Sequence, residues 1–138
     1  MARKAIYITE TDLRRIKASL DGIAVDERRE RKHLQALEAE LDRAKVVLSE
    51  AVPADVVTMN STVRLSDLDT GREYVYTVVY PSNADASVGR ISVLAPMGTA
   101  LLGYRTGAEF TWRAPLGVRR FRIEEVLFQP EAAGQFRL

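Results

Sequence analysis

The sequence has no cysteine and a single histidine. The first absence removes disulfide staples and thiolate metal centres and accords with a reducing cytoplasm. The second removes imidazole clusters, since zinc takes about four ligands, or three and a water. His33 therefore reads as a surface residue on a charged stretch, and no metal or cofactor is expected. No apolar run approaches the roughly 18 residues of a membrane span. After Met1-Ala2-Arg3-Lys4 only Ile6-Tyr7-Ile8 precedes the return of charge, too little for the core of a secretory signal. The charge is also nearly balanced, with 20 Lys and Arg against 19 Asp and Glu. A protein that grips duplex DNA through its phosphates shows a clear basic excess, so a protein partner is favoured and nucleic acid is expected only indirectly. No serine sits in a nucleophile elbow, and Gly98, Gly103 and Gly107 are not followed by the Lys-Ser or Lys-Thr of a phosphate loop. The chain reads as a cytoplasmic, non-enzymatic protein without a membrane segment.

What is present fits one ordinary core, or one small domain with an appended helical element: 138 residues, 46% hydrophobic and 28% charged. The two halves differ in periodicity. Thr9-Glu10-Thr11-Asp12 opens a helix, with the Thr9 hydroxyl as cap and acids where the N-terminal dipole favours them. Leu13, Ile16 and Leu20 follow at spacings of three and four, and Asp21-Gly22 breaks the run. A second apolar seam comprises Leu34, Leu37, Leu41, Ala44 and Leu48. The pattern predicts an antiparallel helical hairpin, a short coiled coil over residues 1–50, with a first arm of about 15–18 Å and a second of about 30–36 Å. Asp21, Asp26 and Glu27 mark its tip, beside Arg28, Arg29 and Arg31. The alternative is that both apolar stripes cover a face of the following sheet. A monomer is expected, with a dimer through the uncovered seam from Leu41 to Leu48 as the other reading.

Pro53 ends the helical part, because proline lacks a donor and disfavours helix at the preceding residue. Residues 51–138 then read as strands over 56–59, 62–65, 72–80, 90–94, 109–113 and 118–128, linked by turns at Asp69-Thr70-Gly71 and Pro115-Leu116-Gly117. One helical turn, Gly98 to Gly103, interrupts this meander of antiparallel hairpins. The architecture expected is α+β, with Trp112, Phe110, Phe121, Ile123 and Phe128 as core beneath the short helix.

The run from Ile91 to Gly107, containing Leu94-Ala95-Pro96-Met97-Gly98, joins a strand to that short helix. It resembles the C-terminal domain of the bacterial Gre-type transcript cleavage factors. Three further signatures are similar to the regulator of nucleoside diphosphate kinase family within that superfamily: Val57-Thr58-Met59-Asn60-Ser61, Val79-Tyr80-Pro81 and Gln129-Pro130-Glu131-Ala132-Ala133-Gly134. The resemblance runs from about Leu41 to the C-terminus. It implies an FKBP-like fold for residues 51–138 and a bacterial RNA polymerase partner, met at the rim of the secondary channel through Leu94, Ala95, Pro96 and Met97. Leu94-Ala95 stands where cleavage factors have Asp-Ser, which removes a carboxylate and a hydroxyl from the contact. Those factors also hold a second Mg²⁺ with acids at the tip of a long coiled coil, and carboxylates suit that hard cation. Asp21, Asp26 and Glu27 are the positions concerned here, but their spacing, their arginine neighbours and the short first arm favour a regulator that competes with cleavage factors. Transcript cleavage is the alternative. Prolyl isomerisation, by fold analogy alone, is a third reading.

Overall fold

The computed structural model describes residues 6–114 and 117–135, with the side chains of 112–114 outside the description. The chain begins with strand β1 (Tyr7–Thr9) and passes directly into helix α1 (Glu10–Asp21). Thr9 caps α1 as its sequence predicts, its hydroxyl oxygen accepting from the Asp12 amide at 3.2 Å. The predicted second helix is divided. Helix α2 (Val25–Glu30) and helix α3 (Lys32–Arg43) meet at Arg31, which takes an extended conformation with φ −101° and ψ 98°. α2 has no buried residue, so no core contact holds it in line with α3, whereas Leu34, Leu37 and Leu41 of α3 are all buried.

The second arm also ends earlier than its seam predicts. Ala44 turns extended, and strand β2 (Lys45–Val47) pairs in parallel with β1. Two successive valines pack well in a strand, and a partner strand 38 residues earlier supplies the ladder, Ile8 opposite Val46. Leu48 is 75% exposed and does not continue the seam.

The arms are antiparallel: Lys17, Leu20 and Asp21 of α1 line one crevice with Asp42, Leu41 and Glu38 of α3. The hairpin lies against the sheet. Ile16, Leu20, Leu34, Leu37 and Leu41 share one hydrophobic core with Val57, Val63, Leu65, Val78, Leu101 and Ile123.

The strand expected over 56–59 is not formed: Val56 makes an isolated bridge to Arg105, and a turn follows at Met59-Asn60. Strands β3 (Thr62–Asp67), β4 (Glu73–Val79), β5 (Arg90–Ser92), β6 (Glu109–Ala114) and β7 (Gly117–Phe128) build a five-stranded sheet in the order β5-β4-β3-β7-β6. All neighbours are antiparallel except β5, which joins β4 in parallel after the 80–89 loop, so the sheet is mixed. Gly71 takes φ 78° in the β3–β4 turn, where a Cβ would be strained. The other predicted turn, at Pro115-Leu116, lies outside the described residues, as does the side chain of Trp112. Helix α4 (Pro96–Leu101) covers the inner face of the sheet. Its own Leu101 and the following Leu102 are buried with Phe110, Phe121 and Ile123 of the sheet, while Phe128 is half-buried. The whole is α+β.

Candidate functional site

The segment between β5 and α4 is braced on three sides. Within it, the Ser92 hydroxyl accepts from the Leu94 amide at 3.0 Å and the Ser92 carbonyl from the Ala95 amide at 3.0 Å. From α4, the Thr99 hydroxyl reaches back to the Val93 carbonyl at 2.7 Å. From the hairpin, His33 Nε2 lies 3.0 Å from the Leu94 carbonyl. A carbonyl only accepts, so this nitrogen carries the proton. His33 is thus half-buried and tied to the segment, and not the plain surface residue expected from its charged surroundings.

This bracing sorts the four predicted docking residues. Pro96 is exposed at the first turn of α4, where its missing N–H costs nothing. Leu94 and Ala95 are half-buried, and Leu94 borders a groove with Arg15, Ile23, Tyr80 and Pro81. Met97 is buried and faces the sheet, beside Tyr74, Tyr76 and Phe121. Gly98 permits the arrangement, because a Cβ there would collide with the Ser92 carbonyl oxygen.

The other signatures are joints between parts of the molecule. In Val57-Thr58-Met59-Asn60-Ser61, Asn60 is left-handed at φ 65°, and the Ser61 hydroxyl accepts from the Thr58 amide at 2.9 Å. The Thr58 hydroxyl donates at 3.0 Å to Glu131 in the C-terminal signature. Gln129 of that signature is buried, and its amide nitrogen donates to the carbonyls of Pro53 and Val56, both at 2.7 Å. Tyr80 closes the third joint, its hydroxyl donating to Asp12 of α1 at 2.8 Å. Burial pushes the carboxyls of Asp12 and Glu131 up from the ordinary range, against the hydrogen bonds that favour their ionised forms.

At the hairpin tip, Asp21, Asp26 and Glu27 are exposed. Arg28 folds back across it, donating to the Leu20 carbonyl at 3.2 Å and approaching Asp21 at 3.5 Å and Glu38 at 3.7 Å. Arg31 pairs with Glu27 at 2.6 Å. The tip is a salt-bridged turn in which cationic side chains take up two of the three carboxylates. The sequence displayed these arginines, but it could not show that Arg28 also caps the end of α1.

Residues 4–47 match the model described as Rnk N-terminus, and residues 52–128 match the one for the C-terminal part of the transcription elongation factors GreA/GreB. The chain is 40% identical over 144 residues to the regulator of nucleoside diphosphate kinase of Escherichia coli K12, covering 100% of both chains. It is 40% identical over 90 residues to transcription elongation factor GreA of Azorhizobium caulinodans, a match spanning 65% of this chain and 57% of that protein. The solved structure of a prokaryotic transcription elongation factor GreA/GreB from Nitrosomonas europaea superposes with a TM-score of 0.78 at 42% identity, covering 91% of this chain and all of that one. With a full-length relative at this identity, and its N-terminal and C-terminal models in sequence, the chain belongs to the regulator of nucleoside diphosphate kinase family of Gre-like transcription factors.

Proposed function

We propose that this protein is a cytoplasmic regulator that binds bacterial RNA polymerase at the rim of the secondary channel and competes with cleavage factors without stimulating cleavage. Residues 51–138 make the contact through Leu94, Ala95, Pro96 and Met97, and residues 1–50 form a short element that enters the channel mouth. The observation that carries this reading is the bracing of the 92–95 segment by Ser92, Thr99 and His33, with Pro96 exposed at its end. A surface fixed before binding avoids the entropic cost of ordering a loop in the complex. Met97 serves this surface from behind, as the buried support of the turn that presents Pro96.

Two features favour competition over cleavage. α1 is 12 residues long, about 18 Å at 1.5 Å per residue, and the hairpin packs on the sheet through Ile16, Leu34 and Leu37. Two of the tip acids are already paired with arginines, which opposes their use by Mg²⁺. The test is a backtracked elongation complex assayed with a cleavage factor at fixed concentration. The expected result is slower transcript shortening as this protein is added, and no shortening by this protein alone. Shortening by this protein alone would overturn the reading in favour of tip-acid catalysis.

A further inference from the structure

The sheet carries a second recognisable feature, outside the joints and the tip. α4 is only six residues long and covers part of the inner face of the sheet. An open cleft is lined by Tyr74, Tyr76, Phe121 and Arg119 from the sheet, with Ile91 of β5 and Met97 of α4. The Tyr74 and Tyr76 rings are nearly parallel, 8° apart with centroids at 5.9 Å, and Phe121 meets Tyr74 edge-on at 6.3 Å. The two tyrosines stack on each other, so they present a wall rather than a slot into which a planar base would insert.

The polar groups of the cleft are of one kind. Both tyrosines are half-buried, and neither hydroxyl has a hydrogen-bond partner among the described residues. Burial pushes the Tyr76 hydroxyl further above its ordinary value, so it remains a donor. Arg119 lies 3.5 Å from Asp67, a fully buried carboxylate that also accepts from the amides of Asp69 at 2.8 Å and Thr70 at 3.1 Å. Asp67 anchors the guanidinium from beneath, and the arginine side chain remains 43% exposed. Among the described lining residues none carries a carboxylate. Apolar walls with hydroxyl and guanidinium donors call for an apolar group next to an anionic acceptor.

We infer that this cleft is a peptide-binding site, which receives from a partner protein a bulky aliphatic side chain adjacent in sequence to a glutamate or aspartate. The aliphatic group lies against Tyr74, Tyr76 and Phe121, and the carboxylate pairs with Arg119 in a charge-assisted hydrogen bond. The site is separate from the exposed Pro96 crest, and the inference does not depend on polymerase binding. Met97 belongs to both, supporting the turn and lining the cleft.

The test titrates three amidated, acetylated tetrapeptides into the full chain: Gly-Leu-Glu-Gly, Gly-Leu-Gln-Gly and Gly-Gly-Glu-Gly. Backbone amide shifts are followed by NMR. The expected result is shifts at Tyr74, Tyr76, Ile91 and Arg119, with Leu-Glu binding at least about tenfold tighter than either control, since one charge-assisted contact or one buried aliphatic group contributes about 1.4 kcal/mol or more. Arg119→Lys, which keeps the charge over Asp67, should reduce the preference for Glu over Gln while leaving the leucine dependence intact. Equal binding of all three peptides, shifts confined to residues 92–96 or the hairpin, or no shift at millimolar peptide would each overturn the inference. The peptide series on the unmodified protein decides it even where a variant fails to fold.

Discussion

Gly98 shows how one residue fixes the candidate docking turn. The backbone of α4 passes so close to Ser92 that any β-carbon at position 98 meets the Ser92 carbonyl oxygen. Gly98→Ala should therefore destabilise by about 1–3 kcal/mol, the usual cost of overpacking a closed site, although alanine is the better helix former. Urea unfolding measures it, and an unchanged midpoint would mean the turn has slack. Asp12 carries the second prediction at this scale. Its folded-state value is raised by burial, against opposing contributions from Tyr80, Thr9 and Arg15, so the ionised form is the disfavoured one in the fold. The sign follows: its contribution is complete below the ordinary value of 3.8 and is lost as pH rises through the folded value. Asp12→Asn keeps an acceptor for the Tyr80 hydroxyl and removes the titration. The stability of Asp12→Asn relative to the unmodified protein should improve as pH rises from the ordinary carboxyl value through the raised folded one, and then level off. A difference constant with pH would show that Asp12 ionises without penalty.

Among the elements, the hairpin tip depends on Arg28, whose guanidinium occupies the Leu20 carbonyl at the end of α1 and bridges to Glu38 of α3. The last carbonyls of a helix lack partners within it, and a cationic side chain there also suits the helix dipole. Arg28→Ala should cost about 1 kcal/mol and should accelerate amide exchange around residues 20–28 ahead of the strands. Uniform exchange across the molecule would contradict that local role. The elements also show how far sequence reached. α1 was legible to the residue at its start because capping chemistry is local: Thr9, Glu10 and Asp12 suffice. β3, β4, β6 and β7 were legible from alternation, and α4 from the apolar run Ala100 to Leu102, although the helix starts at Pro96 and not at Gly98 as expected. The end of α3 was not. Ala44 and Leu48 continue a helical spacing, and only the parallel pairing of Lys45–Val47 with Tyr7–Thr9, a long-range contact, decides for strand. The parallel placement of β5 was hidden for the same reason, because alternation describes a strand but not its neighbour. In the candidate site, the motif around Pro96 was visible as a sequence, while the tie from His33 to Leu94 joins residues 61 apart and left no local sign.

At the scale of the molecule, one core runs through hairpin and sheet, and three signature segments stitch it together at Tyr80–Asp12, Thr58–Glu131 and Gln129 with Pro53 and Val56. Removing the Gln129 amide strands the Val56 carbonyl on the joint between the helical part and the sheet, while the Pro53 carbonyl keeps the Val56 amide at 3.2 Å. Gln129→Ala should cost about 1–3 kcal/mol, the desolvation penalty of a buried acceptor left without a partner. Helix loss followed by circular dichroism and sheet loss followed by tyrosine signals should still coincide in a single transition. Two separated transitions would show that hairpin and sheet fold independently.

Under the proposed function the braced 94–97 turn recognises the polymerase and the arginine-paired tip does not, and equilibrium binding of fluorescently labelled protein to core RNA polymerase tests that division. Pro96→Asp, which puts a charge on the exposed crest without touching the core, should weaken binding at least about tenfold, a loss of about 1.4 kcal/mol. The triple variant Asp21→Asn, Asp26→Asn, Glu27→Gln should bind as the unmodified protein does. Unchanged binding of Pro96→Asp together with loss in the tip variant would contradict the account and transfer recognition from the C-terminal domain to the hairpin.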